Sequence, residues 1–198
     1  VTGLVPFHGF LCVHTNEEIW GLFPTGNATT PYRRQRRADK GTVARRSIVV
    51  TERGWMYYIR REGVYRWDGS SQPSRISGSI DGARYWSDLN KDRLQHSHAI
   101  AVPHKNQIWF FLPRGLTQTD MNSVMIWDEL NEVWGGTFTD FSRNCSAYFD
   151  DLPHAGAYDS GFVFSHDNGT NDDGSAIEST FTTSATPPLS AADQVRFL

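Results

Sequence analysis

The chain has 198 residues, 13% of them aromatic, and a formal net charge of −3 at pH 7. This length suits one domain or part of a larger one, and so small a net charge predicts no class of partner by bulk electrostatics. No segment approaches the roughly 20 consecutive apolar residues of a membrane-spanning helix, and none has the pattern of a secretory signal, so we expect no contact with a membrane.

Five short strands are predicted in the first part of the chain, and no long window has apolar residues at helical spacing, which indicates an all-β fold. The strands are residues 10–14, 19–23, 47–50, 55–59 and 64–67. Gly63, in the turn before the last of them, is expected to adopt a positive φ angle. Tyr65 and Trp67 alternate along that strand, so we expect them on one face of its sheet.

The same pattern restarts after a short helix or helical turn that is predicted over residues 85–95. Each later strand is again apolar or alternating and is bounded by turn residues. The predicted strands are residues 97–102, 107–112, 123–128, 133–138, 145–149, 155–158, 162–167 and 176–183.

Three segments share one order of strands and turns, and they begin near Ser47, Ser97 and Ser146. Their spacing of about 50 residues lies in the range of propellers and other repeat folds, and Trp67-Asp68 and Trp127-Asp128 fall at equivalent positions. Four short strands per period predict a β-propeller-like array of three to four antiparallel blades over residues 1–185, with 186–198 as an exit segment or the start of a further strand. An irregular β-sandwich is the alternative. So few blades, and a start without Met, indicate part of a larger propeller.

Five segments carry a distinctive succession of strands and turns. They are residues 10–13 with 19–21, 41–49, 63–69 leading to 75–77, 122–128 with Trp134, and 172–177 leading to Thr183. Together they resemble the β-propeller virion proteins of tailed bacteriophages, above all the tail nozzle or hub proteins of short-tailed phages, which are also described as tubular tail or packaged-DNA stabilisation proteins. The resemblance implies a homo-oligomeric ring, a hexamer, that lies at the tail tip below an adaptor protein and lets genomic DNA pass through.

A basic run follows the first hairpin and contains only one acidic residue, Asp39. Its cations are Arg33, Arg34, Arg36, Arg37, Lys40, Arg45 and Arg46. Guanidinium groups suit phosphate contacts that are independent of base sequence and sensitive to salt. Three interpretations remain open: contact with a neighbouring subunit or partner protein, which we favour, a solvated loop, and a surface that faces DNA.

Metal-binding and catalytic patterns are weak. Residues 167–174 are rich in oxygen ligands for Ca²⁺ but lack EF-hand spacing, so a turn is the favoured interpretation. His96 and His98, expected on one strand face, could bind zinc with His104 and Cys145, but no fourth ligand has suitable spacing. Cys12 and Cys145 are expected to be buried reduced thiols rather than a disulfide. No Gly-x-Ser-x-Gly motif is present, so we predict no catalytic residue and no cofactor.

The resemblance to the phage tail proteins therefore implies a structural protein of the virion, not an enzyme, that assembles into a ring forming part of the DNA conduit. The alternative is a carbohydrate-binding or carbohydrate-active propeller, and a scaffold propeller from a cell is a third reading. The positions of five tryptophans distinguish the virion protein from the carbohydrate propeller, because packed side chains favour a structural protein and exposed ones favour stacking on sugars. They are Trp55, Trp67, Trp109, Trp127 and Trp134.

Overall fold

A computed structural model describes residues 1–81, 85–139 and 142–169, together with the backbone of two short strands at Asn171–Asp172 and Ser175–Ala176. The chain divides into two units, Val1–Asp167 and Asn168–Leu198, and everything below concerns the first. The strand predicted over 176–183, the exit segment at 186–198 and most of the 167–174 loop lie outside the described residues.

The first unit is built from four antiparallel sheets in which strands that follow each other in sequence pair with each other. Sheet 1 contains β1 (Gly3–Phe7), β2 (Phe10–His14), β3 (Ile19–Pro24) and β4 (Tyr32–Ala38). Sheet 2 contains β5 (Val49–Val50), β6 (Met56–Arg60), β7 (Gly63–Trp67) and β8 (Ser74–Arg75). Sheet 3 contains β9 (His98–Val102), β10 (Gln107–Leu112), β11 (Ser123–Asp128) and β12 (Val133–Phe138). Sheet 4 contains β13 (Arg143–Phe149), β14 (Leu152–Ala157) and β15 (Val163–Ser165), and the predicted all-β class is confirmed.

Helical structure is confined to short segments among the described residues. One four-residue α-helix, α1, spans Gly78–Asp81, and three 3₁₀ turns span Arg45–Ser47, Lys91–His96 and Pro103–Lys105. The helical turn predicted over 85–95 is confirmed in its second half, where the Asn90 side chain caps the 3₁₀ turn by accepting a hydrogen bond from the Asp92 N–H.

The interpretation of the basic run as a loop is wrong for residues 32–38, which form β4. This strand lies at the edge of sheet 1 and pairs with β3, with Leu22 opposite Arg34 and Trp20 opposite Arg36. It has no apolar alternation because nearly all of its side chains are exposed, so backbone pairing rather than burial holds it in place. Charged side chains on an edge strand also discourage uncontrolled pairing with other strands.

The predicted positive φ of Gly63 is also wrong. Gly63 is the first residue of β7, and it is absent from the residues with positive φ. A Cβ atom at this position would lie 2.2 Å from Ser77 Oγ, which accepts a hydrogen bond from the Val64 N–H. Glycine is therefore required here by close approach of a neighbouring side chain, not by turn conformation.

The four sheets pack face to face in chain order. Sheets 1 and 2 share a core that includes Cys12, Met56, Tyr58, Tyr65 and Trp67, which confirms that Tyr65 and Trp67 lie on one face. Sheets 2 and 3 share a second core, and sheets 3 and 4 share a third. Sheets 2 and 3 are consequently covered on both faces, so every residue of β6 is buried.

The two Trp-Asp pairs do occupy equivalent places, at the ends of the third strands of sheets 2 and 3. Asp68 Oδ1 accepts hydrogen bonds from the N–H groups of Ser70 and Ser71, at 2.9 and 3.0 Å. Asp128 Oδ1 accepts the corresponding bonds from the N–H groups two and three residues later, both at 2.9 Å. These backbone bonds hold the pKa of both carboxyl groups below their usual range.

We expect Asp68→Ala and Asp128→Ala each to lower the free energy of unfolding by about 1 kcal/mol at pH 7, since each removes two backbone hydrogen bonds at an exposed turn. Because the folded-state pKa values are depressed, this contribution is present above the pKa of the unfolded chain and is lost as the pH falls through the folded-state values. Urea unfolding measures both effects. Glu52→Ala, at an exposed turn position of sheet 2, is the control, and an equal loss there would contradict the assignment.

Candidate partner-binding surface

The seven cations of the basic run lie on different surfaces rather than in one patch. Side chains alternate along β4, so Arg34 and Arg36 lie on one face of sheet 1, and Arg33 and Arg37 lie on the face that packs against sheet 2. Arg45 and Arg46 belong to the 3₁₀ turn that leads into sheet 2. The structure therefore separates residues that the sequence groups together.

Arg34 and Arg36 form a cluster with the partly exposed Trp20 on sheet 1. The Arg34 guanidinium lies 4.9 Å from the centre of the Trp20 ring, a favourable cation–π distance. Glu18 joins the cluster, because its carboxylate accepts a hydrogen bond from Trp20 Nε1 at 2.9 Å and lies 2.8 Å from Arg36 Nε. Arg34 thus keeps its hydrogen-bonding capacity toward solvent, while Arg36 is partly neutralised.

Arg37 has a structural role instead. Its Nη2 donates a 2.6 Å hydrogen bond to the carbonyl oxygen of Gly69 in sheet 2, and its guanidinium lies over the rings of Phe10 and Phe23. The register shift opposite Ile19 and Trp20 makes Arg37 an extra residue in β4, so both Arg37 and the buried Ala38 lie toward sheet 2. Arg37 therefore joins the first two sheets and is not available to a partner.

The remaining cations also make contacts within the chain. Lys40 Nζ lies 5.3 Å from the centre of the Tyr65 ring, and Arg33 lies 5.8 Å from that of Phe23. Arg46 Nη2 donates a 2.5 Å hydrogen bond to the carbonyl oxygen of Asn144, at the start of sheet 4. The exposed members of the run that remain for a partner are therefore Arg34 and Arg36 on one surface, Arg33 at the edge and Arg45 elsewhere.

An apolar surface adjoins Arg34 and Arg36, and sequence analysis missed it. It is the face of sheet 1 that points away from sheet 2, which we name the sheet 1 open face. Strand pairing assembles it from two rows, Leu4, Val13, Trp20 and Arg36, then Pro6, Leu11, Leu22 and Arg34. The sequences of β2 and β3 do indicate this surface, because they are apolar at successive positions, as is typical of strands that are covered on both faces.

The structure separates the three histidines that were considered, and not favoured, as zinc ligands. His98 is the first residue of β9 and is buried against Phe111, with ring centres 4.4 Å apart, whereas His96 ends a 3₁₀ turn and is exposed. His104 is 2.8 Å from the hydroxyl of Tyr148 through Nδ1. Over the part of the chain that the structure describes, no group of three or more His, Cys, Asp or Glu side chains is arranged to hold a metal ion.

The two cysteines are free, as predicted, but only one is buried. Cys12 lies in the core between sheets 1 and 2, where burial raises the pKa of its thiol to about 12. Cys145 is exposed on β13, because its side chain points away from the core shared with sheet 3. The prediction that both thiols are buried is therefore wrong for Cys145.

A cavity of about 240 Å³ lies where the turns of sheets 2 and 3 meet. Its buried carboxylate, Glu129, accepts hydrogen bonds at Oε1 from Thr51 Oγ1 at 2.6 Å and from the Tyr57 hydroxyl at 3.2 Å. Burial, with Glu129 nearby, raises the pKa of Tyr57. These hydrogen bonds join sheet 3 to sheet 2, so the Glu129 carboxylate has a structural role.

Among the described residues, no helix is long and apolar enough to cross a membrane.

We expect Arg37→Ala to lower the free energy of unfolding by about 2 kcal/mol, because a charged hydrogen bond and ring contacts between sheets are lost. Chemical denaturation of the purified variant measures this change. Arg45→Ala, which removes an exposed arginine from the same run, is the matched control and should stay within about 0.5 kcal/mol of the parent. Equal effects of the two substitutions would contradict the structural assignment of Arg37.

Two buried histidines should make the fold sensitive to mild acid. Burial lowers the pKa of His14 to about 4, and burial with nearby Arg46 lowers that of His98 to about 3. Both values lie below the ordinary value of about 6.5, so the unfolded chain takes up protons first and stability falls as the pH drops below about 6.5.

The free energy of unfolding is expected to fall by about 2 kcal/mol per histidine between pH 8 and pH 5. The midpoints of urea unfolding, measured across this pH range, report the change. His98→Phe keeps a ring on Phe111 and should remove one of the two contributions. His96→Gln, at an exposed position, is the control. A pH dependence unchanged in His98→Phe would show that this side chain is not responsible.

No family model matches this chain, and no curated protein shows significant sequence similarity to it. The arrangement of the sheets, the packing of the aromatic residues and the surface around Arg34 are therefore the basis for the function proposed next.

Proposed function

We propose that the four sheets are successive blades of a β-propeller and that the chain is part of a larger one. The first strands of the sheets begin at Gly3, Val49, His98 and Arg143, about 45 to 50 residues apart. Each sheet is a meander that packs on the next one in chain order, which is how propeller blades follow each other. First strands also approach each other, since β9 contacts both β5 and β13, as strands around a common axis do.

The proposed role is structural: a component of a phage tail, of the nozzle or hub type, that acts by assembling into a ring around the DNA path. The observation that carries this proposal is the open, arginine-bordered apolar face at the sheet 1 end of the stack. A surface of this kind indicates a protein partner. Other tail or adaptor proteins are further proposed partners, and DNA contact would be non-specific and limited to exposed cations such as Arg45.

The tryptophans support a structural role over the carbohydrate alternative. Trp67, Trp109 and Trp127 are buried between sheets. Trp55 is partly covered by the Arg66 guanidinium, 4.3 Å from its ring centre, and Trp134 donates a 2.8 Å hydrogen bond to the carbonyl oxygen of Ile76. Sugar binding needs aromatic faces open to solvent, and all five of these side chains are used in packing.

The first measurement is the mass of the purified chain by native mass spectrometry, alone and with candidate tail proteins. We expect a closed ring, or a ring that forms only with those proteins, because no described residue of the same copy covers the apolar face of sheet 1. Arg34→Glu should then weaken assembly and Arg45→Glu should not. A monomer under all these conditions would contradict the proposed function, and binding to polysaccharides would then be tested.

A further inference from the structure

The two ends of the stack of sheets differ in charge but share an apolar character. At one end lies the sheet 1 open face, whose apolar side chains include Leu4, 60% exposed, and the partly exposed Val13, Trp20 and Leu22. This face is opposite to the one that packs on sheet 2, because the core residues Cys12 and Ile19 point the other way. Within the described residues, nothing covers it except the arginines at its border.

The other end is the face of sheet 4 that points away from sheet 3, which we name the sheet 4 open face. Ala155 and Tyr148 pack toward sheet 3, so the alternate residues point outward. Strand pairing places these outward residues in three rows, Cys145, Gly156 and Val163, then Ala147, His154 and Ser165, then Phe149 and Leu152. Phe149 and Val163 are 71% and 69% exposed.

The charges at the two ends are opposite. The sheet 1 open face carries the exposed Arg34 and Arg36, and Arg36 is paired with Glu18. Sheet 4 and its turns, residues 143–165, contain three aspartates, Asp150, Asp151 and Asp159, and one cation, Arg143, whose guanidinium lies over the Phe164 ring on the face toward sheet 3. Asp150 and Asp151 are exposed in the turn next to Phe149, just as Arg34 and Arg36 border Trp20. The apolar faces and the charges are thus complementary between the ends, and neither end is complementary to itself.

We propose that the sheet 1 open face of one copy docks on the sheet 4 open face of a second copy, head to tail. The contact continues the packing of sheet on sheet that already joins the four sheets of one chain, with the arginines beside the Asp150-Asp151 turn. A head-to-tail contact uses two different surfaces, so one copy keeps its sheet 4 open face, the other keeps its sheet 1 open face, and the assembly grows until it closes into a ring. The inference rests on the proposed function and assigns the surfaces through which its ring assembles.

Two single substitutions, each made in the full chain, test the proposed contact. Leu4→Asp places a carboxylate in the sheet 1 open face, and Val163→Asp places one in the sheet 4 open face; both sites are exposed, so the monomer should still fold. Each variant should sediment as a monomer at concentrations where the parent chain is associated, with at least about a tenfold rise in the dissociation constant. Leu116→Asp, at a 74% exposed loop position on neither face, is the control and should assemble like the parent.

Mixing the two variants gives the decisive result. The Leu4→Asp chain keeps its sheet 4 open face and the Val163→Asp chain keeps its sheet 1 open face, so an equimolar mixture should form a one-to-one dimer that grows no further. Raising the salt concentration should weaken that dimer, because exposed charges border the contact. Circular dichroism melting curves equal to the parent's would show that both variants are folded.

Other outcomes overturn the inference in distinguishable ways. If Leu4→Asp blocks assembly and Val163→Asp does not, two sheet 1 open faces meet and the head-to-tail contact is wrong. If neither substitution changes assembly, the ring forms through another surface and the proposed function stands without this contact. If the parent chain stays monomeric alone but joins a ring with tail proteins, contact between copies does not build the ring and the head-to-tail contact is wrong. A monomer in both settings removes the inference and the proposed function together.

Discussion

No sheet of this protein can bury both of its faces by itself, and that constraint determines most of its architecture. The middle strands β6 and β10 are apolar on both sides, so each needs a neighbour on either face. Among the described residues, sheets 2 and 3 have those neighbours on both faces, whereas sheets 1 and 4 have one each. The two open faces are therefore the apolar sheet surfaces that no described residue covers.

At each junction between two sheets, a cation from the sheet that comes first in sequence also reaches across to the second sheet. There it contacts the turn that follows the third strand of that sheet. Arg37 contacts the Gly69 carbonyl oxygen, Arg66 Nη1 lies 2.5 Å from Glu132 Oε1, and Lys105 pairs with Asp167. Apolar packing between flat sheets is not directional, but a hydrogen bond at the rim fixes how one sheet is placed on another. These contacts therefore set the registration of sheets whose shared cores supply most of the stability.

Much of the fold could be predicted from sequence, because buried strands are recognisable by their apolar side chains. Residues 55–59 and 107–112 are dense in aromatic and β-branched residues, and both became central strands. β4 could not be predicted in this way, since its place depends on pairing with β3 and on guanidinium stacking rather than on burial. Gly63 was misread because its identity reflects the approach of Ser77, which comes from a later part of the chain.

The candidate site was harder to predict than the fold. A run of arginines looks uniform in sequence, but side-chain alternation and one extra residue in β4 place Arg37 in a junction between sheets and leave Arg34 in solvent. The apolar partners of Arg34 come from three different strands, so no local motif marks the sheet 1 open face. Burial of His98 rather than His96 likewise depends on where a 3₁₀ turn ends and β9 begins.

The meander topology described above has a consequence for how the chain folds. Every strand pair within the four sheets joins neighbours in sequence, so each sheet closes only short loops and forms mainly from local contacts. During synthesis a sheet can form as soon as its own stretch of chain has emerged, and the next sheet can then condense on its exposed face. A newly made chain therefore always presents one growing apolar surface, which the following sheet covers in turn until the last one is made.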